Sequence, residues 1–150
     1  MNKYFIYFSA TGNGDFLASE LKQYGYTPIK VEMVKPIKKV GFWFILKYGG
    51  RATFKKKDKI KSVELELKDD DLVVIGSPIW GDHLSTPINM LLTQFSFNKE
   101  TTKFVLYPAG EDTKKSLAQI QKLGFIQEAI VISYPLKKMD AAKELLKKLS

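Results

Sequence analysis

The stretch Ser9-Ala10-Thr11-Gly12-Asn13-Gly14 joins a strand-like run to a helix-like run, and that junction constrains the fold more than any other feature of the chain. Tyr4-Phe5-Ile6-Tyr7-Phe8 precedes it, rich in the aromatic and β-branched residues that favour a buried strand. Phe16, Leu17, Leu21 and Tyr24 follow at near-helical spacing, and Gly25 stands where a helix stop is wanted. A hydroxyl- and glycine-rich turn from strand to helix gathers free backbone N–H groups at the positive end of the helix dipole. It therefore predicts a phosphate site, with the Ser9 and Thr11 hydroxyls as further donors. The plainer alternative is a glycine turn that only starts a helix.

Two widespread phosphate loops fit these residues poorly. A Walker loop needs a lysine directly after its last glycine, and here Asp15 follows Gly14. A dinucleotide fingerprint wants a small residue where Leu17 stands, although Glu32 lies at about the distance of a ribose-binding acid. A second signature lies further along the chain. Leu72-Val73-Val74-Ile75 is a continuous apolar run, as expected of a central parallel strand. It leads into a loop, Gly76-Ser77-Pro78-Ile79-Trp80-Gly81-Asp82-His83, and then into a helix with Thr86 as N-cap and Pro87 as first residue. Ile88, Leu91, Leu92 and Phe95 would form that helix's buried stripe.

Together the two segments resemble the flavodoxins. The flavodoxin pattern Ser/Thr-x-Thr-Gly-x-Thr, before a helix carrying an alanine, is matched by Ser9, Thr11, Gly12 and Ala18. It departs at Gly14, where the family usually has a third hydroxyl, and Asp15 adds a carboxylate beside the expected anion. The segment from Gly76 is similar to the Gly-Ser/Thr-Pro-x-Trp-x loop of flavodoxin-like proteins. The resemblance implies FMN as cofactor, with Ser9, Ala10, Thr11, Gly12, Asn13 and Gly14 around its phosphate. It implies Pro78, Ile79 and Trp80 along the isoalloxazine ring, with Trp80 a stacking partner. Gly81 and Asp82 look like the pair whose peptide turns its carbonyl toward reduced flavin. Ala109 and Gly110 complete the cofactor-binding set, from the loop after the fourth strand.

The rest of the chain alternates as a doubly wound α/β protein should. With 150 residues and 45% apolar content, it is expected to form one flavodoxin-like FMN-binding domain, 1–150. The second strand is expected at Tyr26 to Val34, the fourth at Lys103 to Tyr107 and the fifth at Ala129 to Ser133. Leu117, Ile120 and Leu123 mark a helix stopped by Gly124, and Ala142, Leu145, Leu146 and Leu149 stripe a C-terminal helix. The resemblance implies a five-stranded parallel sheet in the order 2-1-3-4-5, with the site at the carboxyl ends of strands one and three. There is no cysteine and one histidine, so neither thiol chemistry nor a histidine metal cluster is available. The absence of a signal-like start and of a long apolar stretch leads us to expect a cytoplasmic protein without a transmembrane segment.

Residues 35–61 carry ten basic side chains against the single acid Asp58, while the remainder of the chain is near neutral. Within them, Gly41 to Tyr48 is strongly apolar. The reading favoured is a second crossover helix, with Phe42, Ile45, Leu46 and Gly49 facing the sheet and the lysines solvated. If Trp43 and Phe44 face outward instead, 35–61 offers a peripheral membrane or protein contact. No nucleic-acid motif accompanies the charge.

Two functions stand beside each other on these residues. One is an FMN electron carrier working with a redox partner protein, whose docking face a chain at +8 would prefer acidic. The other is a small FMN-dependent NAD(P)H oxidoreductase acting on quinones or similar flat acceptors. Pro108-Ala109-Gly110-Glu111-Asp112 has no aromatic ring to cover a flavin face, which leaves room for a substrate unless Trp43 or Tyr48 covers it from elsewhere. A receiver-like signalling domain would need acidic residues where Ser9-Ala10 and Ser77-Pro78 stand. His83 reads as a solvated loop residue, or else as a proton source near the flavin.

Overall fold

The computed structural model describes residues 1–37, 50 and 57–150. The strands are β1 (Lys3–Tyr7), β2 (Thr27–Lys30), β3 (Leu72–Trp80), β4 (His83–Leu84), β5 (Lys103–Tyr107) and β6 (Ile130–Val131). The helices are α1 (Asn13–Leu21), α2 (Thr86–Gln94), α3 (Lys114–Lys122) and α4 (Met139–Leu146). The sheet runs β2-β1-β3-β5-β6, all parallel, with β4 pairing antiparallel to β3 outside that path. This is the expected five-strand order with one short hairpin added.

Alternation along the central strands builds two cores, one on each face. Ile6, Ile75, Phe104 and Leu106 point to one face, where they meet Ile88 and Leu91 of α2 and Ile120 of α3. Phe5, Tyr7, Val74, Val105 and Tyr107 point to the other, against Leu17, Ala18 and Leu21 of α1 and Ala142 and Leu146 of α4. Helix α1 closes with a single 3-10 turn, Lys22–Tyr24, capped by Gly25 in the left-handed conformation. Leu17 is fully buried, so the place where a dinucleotide loop wants a small residue is filled by core packing.

Several boundaries differ from the sequence expectation, each for a non-local reason. The third strand continues through Gly76 to Trp80, because Ser77 and Pro78 stay in register with Leu106 and Tyr107. What reads as a loop is therefore strand plus hairpin, with Ile79 and Trp80 paired to Leu84 and His83. Ser85, not Thr86, caps α2, and Pro87 lies inside its first turn. The second strand is four residues long, since the chain beyond Val31 turns away and Met33 bridges antiparallel to Ile60. The last strand is reduced to Ile130–Val131, paired to Val105 and Leu106 alone. The crossover helix and outward-facing Trp43 and Phe44 considered for 35–61 fall on residues 38–49 and 51–56, outside the described residues.

Candidate functional site

Because β1, β3 and β5 are parallel neighbours, the chain leaves all three at the same edge of the sheet. That edge gathers the 9–14 loop, the Gly81–Asp82 turn and the Pro108–Asp112 loop. In doubly wound sheets this is where ligands bind, at the point where the strand order reverses.

The 9–14 loop is organised from beneath. The Ser9 hydroxyl oxygen accepts hydrogen bonds from the backbone N–H of Gly14 (3.1 Å) and Asp15 (3.4 Å), which orders the first turn of α1. Gly12 precedes the helix in the left-handed region at φ 89°, and Phe16 N–H closes the turn on its carbonyl at 3.0 Å. Among the described residues, the N–H groups of Ala10, Thr11, Gly12 and Asn13 donate to no protein acceptor. Thr11 is exposed, and its hydroxyl accepts a 3.3 Å bond from the Asn13 amide. Four successive open donors at a helix N-terminus form an arrangement suited to phosphate.

Gly14 explains the loop's departure from the flavodoxin pattern. A Cβ there would stand 2.8 Å from the Tyr107 hydroxyl, 2.9 Å from the Tyr7 ring and 3.0 Å from the Phe8 carbonyl oxygen. The space a third hydroxyl would need is filled by Tyr107, whose own hydroxyl donates to that Phe8 carbonyl. Asp15 is answered in a similar way. The Tyr7 hydroxyl donates to it at 3.0 Å and the Lys30 ammonium pairs with it at 2.8 Å. Partial burial opposes its charge, but hydrogen bonds from Lys30, Tyr7 and Ser9 and the Lys30 charge outweigh this, holding the carboxyl below the usual aspartate range. Burial and the neighbouring Asp15 push the Tyr7 phenol far above the usual tyrosine range, and burial does the same to Tyr107. Both remain protonated donors. The carboxylate beside the loop is thus partnered by a cation, and the residues present fit a phosphate ester.

The hairpin after β3 is built differently. Gly81 (φ 55°) and Asp82 (φ 64°) are both left-handed, as in the two-residue turns that suit the twist of a hairpin. His83 is not solvated: it is 8% exposed within β4, and its Nδ1 lies 2.8 Å from the Gly81 carbonyl oxygen. A carbonyl only accepts, so Nδ1 carries a proton. Ser77 and Ser85 join the base of the hairpin at 3.0 Å, and Leu84 N–H donates to the buried Gln119. Asp82 accepts the Asp112 N–H at 3.2 Å and faces the Lys115 ammonium at 3.8 Å, tying this turn to the loop after β5.

The residues expected around a ring system divide into two sets. Pro78, Gly81 and Asp82 are partly exposed at the edge, and Ala109 and Gly110 are exposed opposite them. Ile79 and Trp80 lie in the core, 1% and 5% exposed, with the Trp80 ring edge-on to Phe8 at 5.5 Å. A contributor that sequence reasoning missed is the segment after β6. Tyr134 N–H donates to the Pro108 carbonyl (3.2 Å), and Leu136 N–H donates to the Asn13 side chain (3.2 Å). Its only signal in the sequence is a proline and two lysines after a strand. A cleft of about 170 Å³ also flanks the 9–14 loop, between Ser9, Ala10, Lys30 and Glu32, where Lys61 pairs with Glu32 at 3.5 Å.

No protein-family model matches the chain, and no curated protein matches it. Solved structures do. A flavoprotein from Lactobacillus acidophilus NCFM, crystallised in complex with FMN, is 19% identical with a TM-score of 0.65, over 93% of this chain and 97% of that one. A candidate flavoprotein from Bacteroides uniformis ATCC 8492 is 17% identical with a TM-score of 0.71, over 97% of both chains. Another, from Bacteroides eggerthii DSM 20697, is 20% identical with a TM-score of 0.67, over 98% of this chain and 96% of that one. The likeness is one of fold along nearly the whole length.

Proposed function

We propose that this chain binds FMN and acts as a flavodoxin-like redox protein, exchanging electrons with a protein partner. The observation that carries the reading is the row of open N–H donors from Ala10 to Asn13 at the switch point of the sheet, in a chain that shares its fold with an FMN complex. Ser9, Ala10, Thr11, Gly12 and Asn13 would hold the phosphate, while Gly14 lets α1 start close against Tyr107. Pro78, Gly81 and Asp82 on one side, and Ala109 and Gly110 on the other, would border the ring, with Trp80 and Ile79 supporting it from the core. Bound FMN supplies one- and two-electron redox chemistry. The protein's part is to orient it and limit water around it.

A second reading is kept by the exposure of Ala109 and Gly110, in a loop, 108–112, that carries no aromatic residue of its own. A flat acceptor could enter there, as an NAD(P)H-dependent oxidoreductase would require. No described helix is long and apolar enough to cross a membrane, and a cytoplasmic location and an acidic docking partner belong to this proposal. Purified protein should carry a flavin that chromatography identifies as FMN, or should take up FMN with a shift in its visible absorbance. Turnover of reduced nicotinamide with a quinone would favour the enzyme, and its absence in an FMN-loaded protein would favour the carrier.

A further inference from the structure

A phosphate monoester carries close to two negative charges near neutral pH. The 9–14 loop offers it only neutral donors, and the charged side chain that follows it in the sequence, Asp15, is an anion already paired with Lys30. Among the described residues, two further lysines near this edge are also engaged, Lys61 with Glu32 and Lys115 with Asp82. Lys137 and Lys138 differ. Both are exposed, and among the described residues neither forms an ion pair.

These two lysines stand on a segment locked against the loop. Tyr134 is left-handed at φ 51°, unusual for an aromatic residue and kept only where the surroundings demand it. Its N–H is held by the Pro108 carbonyl, and its own carbonyl accepts from the N–H of Lys137 (2.9 Å) and Lys138 (3.0 Å). Pro135 stiffens the turn. Leu136 then meets the loop twice, through its N–H on the Asn13 side chain and through Cδ1, which lies 3.4 Å from where a Cβ on Gly12 would be. The ammonium groups of Lys137 and Lys138 lie 5.2 and 6.0 Å from the centre of the Tyr134 ring. A ring face is a weak partner for a cation at an exposed site.

We propose that Lys137 and Lys138 are a cationic clamp for the phosphate held by the 9–14 loop. They rest on Tyr134 when no anion is present and swing to the phosphate when one binds, with Tyr134 as the positioning residue. The inference rests on the FMN reading and adds to it a source of charge that the loop itself lacks.

The test is a fluorescence titration of the flavin-free full-length protein with FMN and with riboflavin, at low and at high salt. Wild type is compared with the double variant Lys137→Gln/Lys138→Gln and with a charge-matched control, Lys122→Gln/Lys148→Gln. The clamp variant should bind FMN about three- to tenfold more weakly at low salt, with the difference fading at about 0.5 M salt, as expected of screened surface charges. Riboflavin affinity should not change, and the control should match wild type for both ligands. An unchanged FMN-to-riboflavin ratio in the clamp variant, with wild type still preferring FMN, overturns the clamp and leaves the FMN reading standing. A wild type that shows no preference for FMN overturns both.

Discussion

The 9–14 loop and the hairpin at 80–83 sit side by side at one edge of the sheet, yet they treat their polar groups in opposite ways. In the hairpin the polar groups are used internally: His83 on Gly81, Ser85 on Ser77, Leu84 on Gln119, Asp112 on Asp82. In the loop, Ser9 orders the turn from below, and the N–H groups from Ala10 to Asn13 stay open. A buried polar group without a partner is costly, whereas an exposed one can wait for a ligand with water in its place. The difference separates a segment whose polar groups are already partnered from one whose donors remain available to a ligand. It also reassigns weight between the two sequence signatures, since the tryptophan that looks like a cofactor wall is packed mainly as core.

The largest effect that would break this comparison is at Trp80. Removing a side chain that is 5% exposed and packed on Phe8 should cost about 3–5 kcal/mol, as large-to-small changes of buried aromatic residues do. Denaturant melts of Trp80→Ala should show this as a lowered midpoint. A variant with normal stability that has lost flavin binding would instead make the Trp80 ring itself part of the binding surface.

Gly14→Ala comes next. Two of the three atoms its Cβ would crowd are a ring carbon and a backbone oxygen, neither the end of a flexible chain. Overpacking of this kind costs about 1–3 kcal/mol. The expected outcome is a destabilised protein, read from the same melts. Stability equal to wild type would show that Tyr107 gives way easily, and that a third hydroxyl could be accommodated.

How far these contrasts can be read from sequence depends on their range along the chain. The first strand and the 9–14 loop are legible because each rests on a local run: Tyr4 to Phe8 is apolar throughout, and Ser9 to Gly14 carries its turn chemistry in six consecutive residues. The strand order, by contrast, is implied only by the flavodoxin resemblance. Tyr107 filling the place beside Gly14 is not legible, since the partners are far apart in the chain and meet only through strand pairing. The same holds for His83, which is buried because β4 pairs back on β3, and for Leu136, which reaches Asn13 from the far end of the sheet. Capping by Ser85 rather than Thr86 is a one-residue shift of the kind that helix ends commonly show.

The smallest stability effect concerns Asp15. Its carboxyl is held below the usual aspartate range, so its pairing stabilises the protein above the ordinary value and loses that contribution as pH falls through the folded value. Asp15 and Lys30 are both partly exposed, and surface pairs are worth about 0–1 kcal/mol. Asp15→Asn should therefore be slightly less stable near neutral pH and converge with wild type in acid. Melts that keep the same gap at every pH would assign the effect to something other than the charge.

The central claim, that the 9–14 loop is a phosphate site, is tested most directly by titrating flavin-free wild type and Ser9→Ala/Thr11→Ala with FMN and riboflavin. Hydrogen bonds to a charged group are worth about 1.5–3 kcal/mol each, so the double variant should lose at least about tenfold in FMN affinity. Riboflavin, which lacks the phosphate, should bind wild type far more weakly than FMN and be little affected by the substitutions. Equal wild-type affinities for FMN and riboflavin would contradict the account.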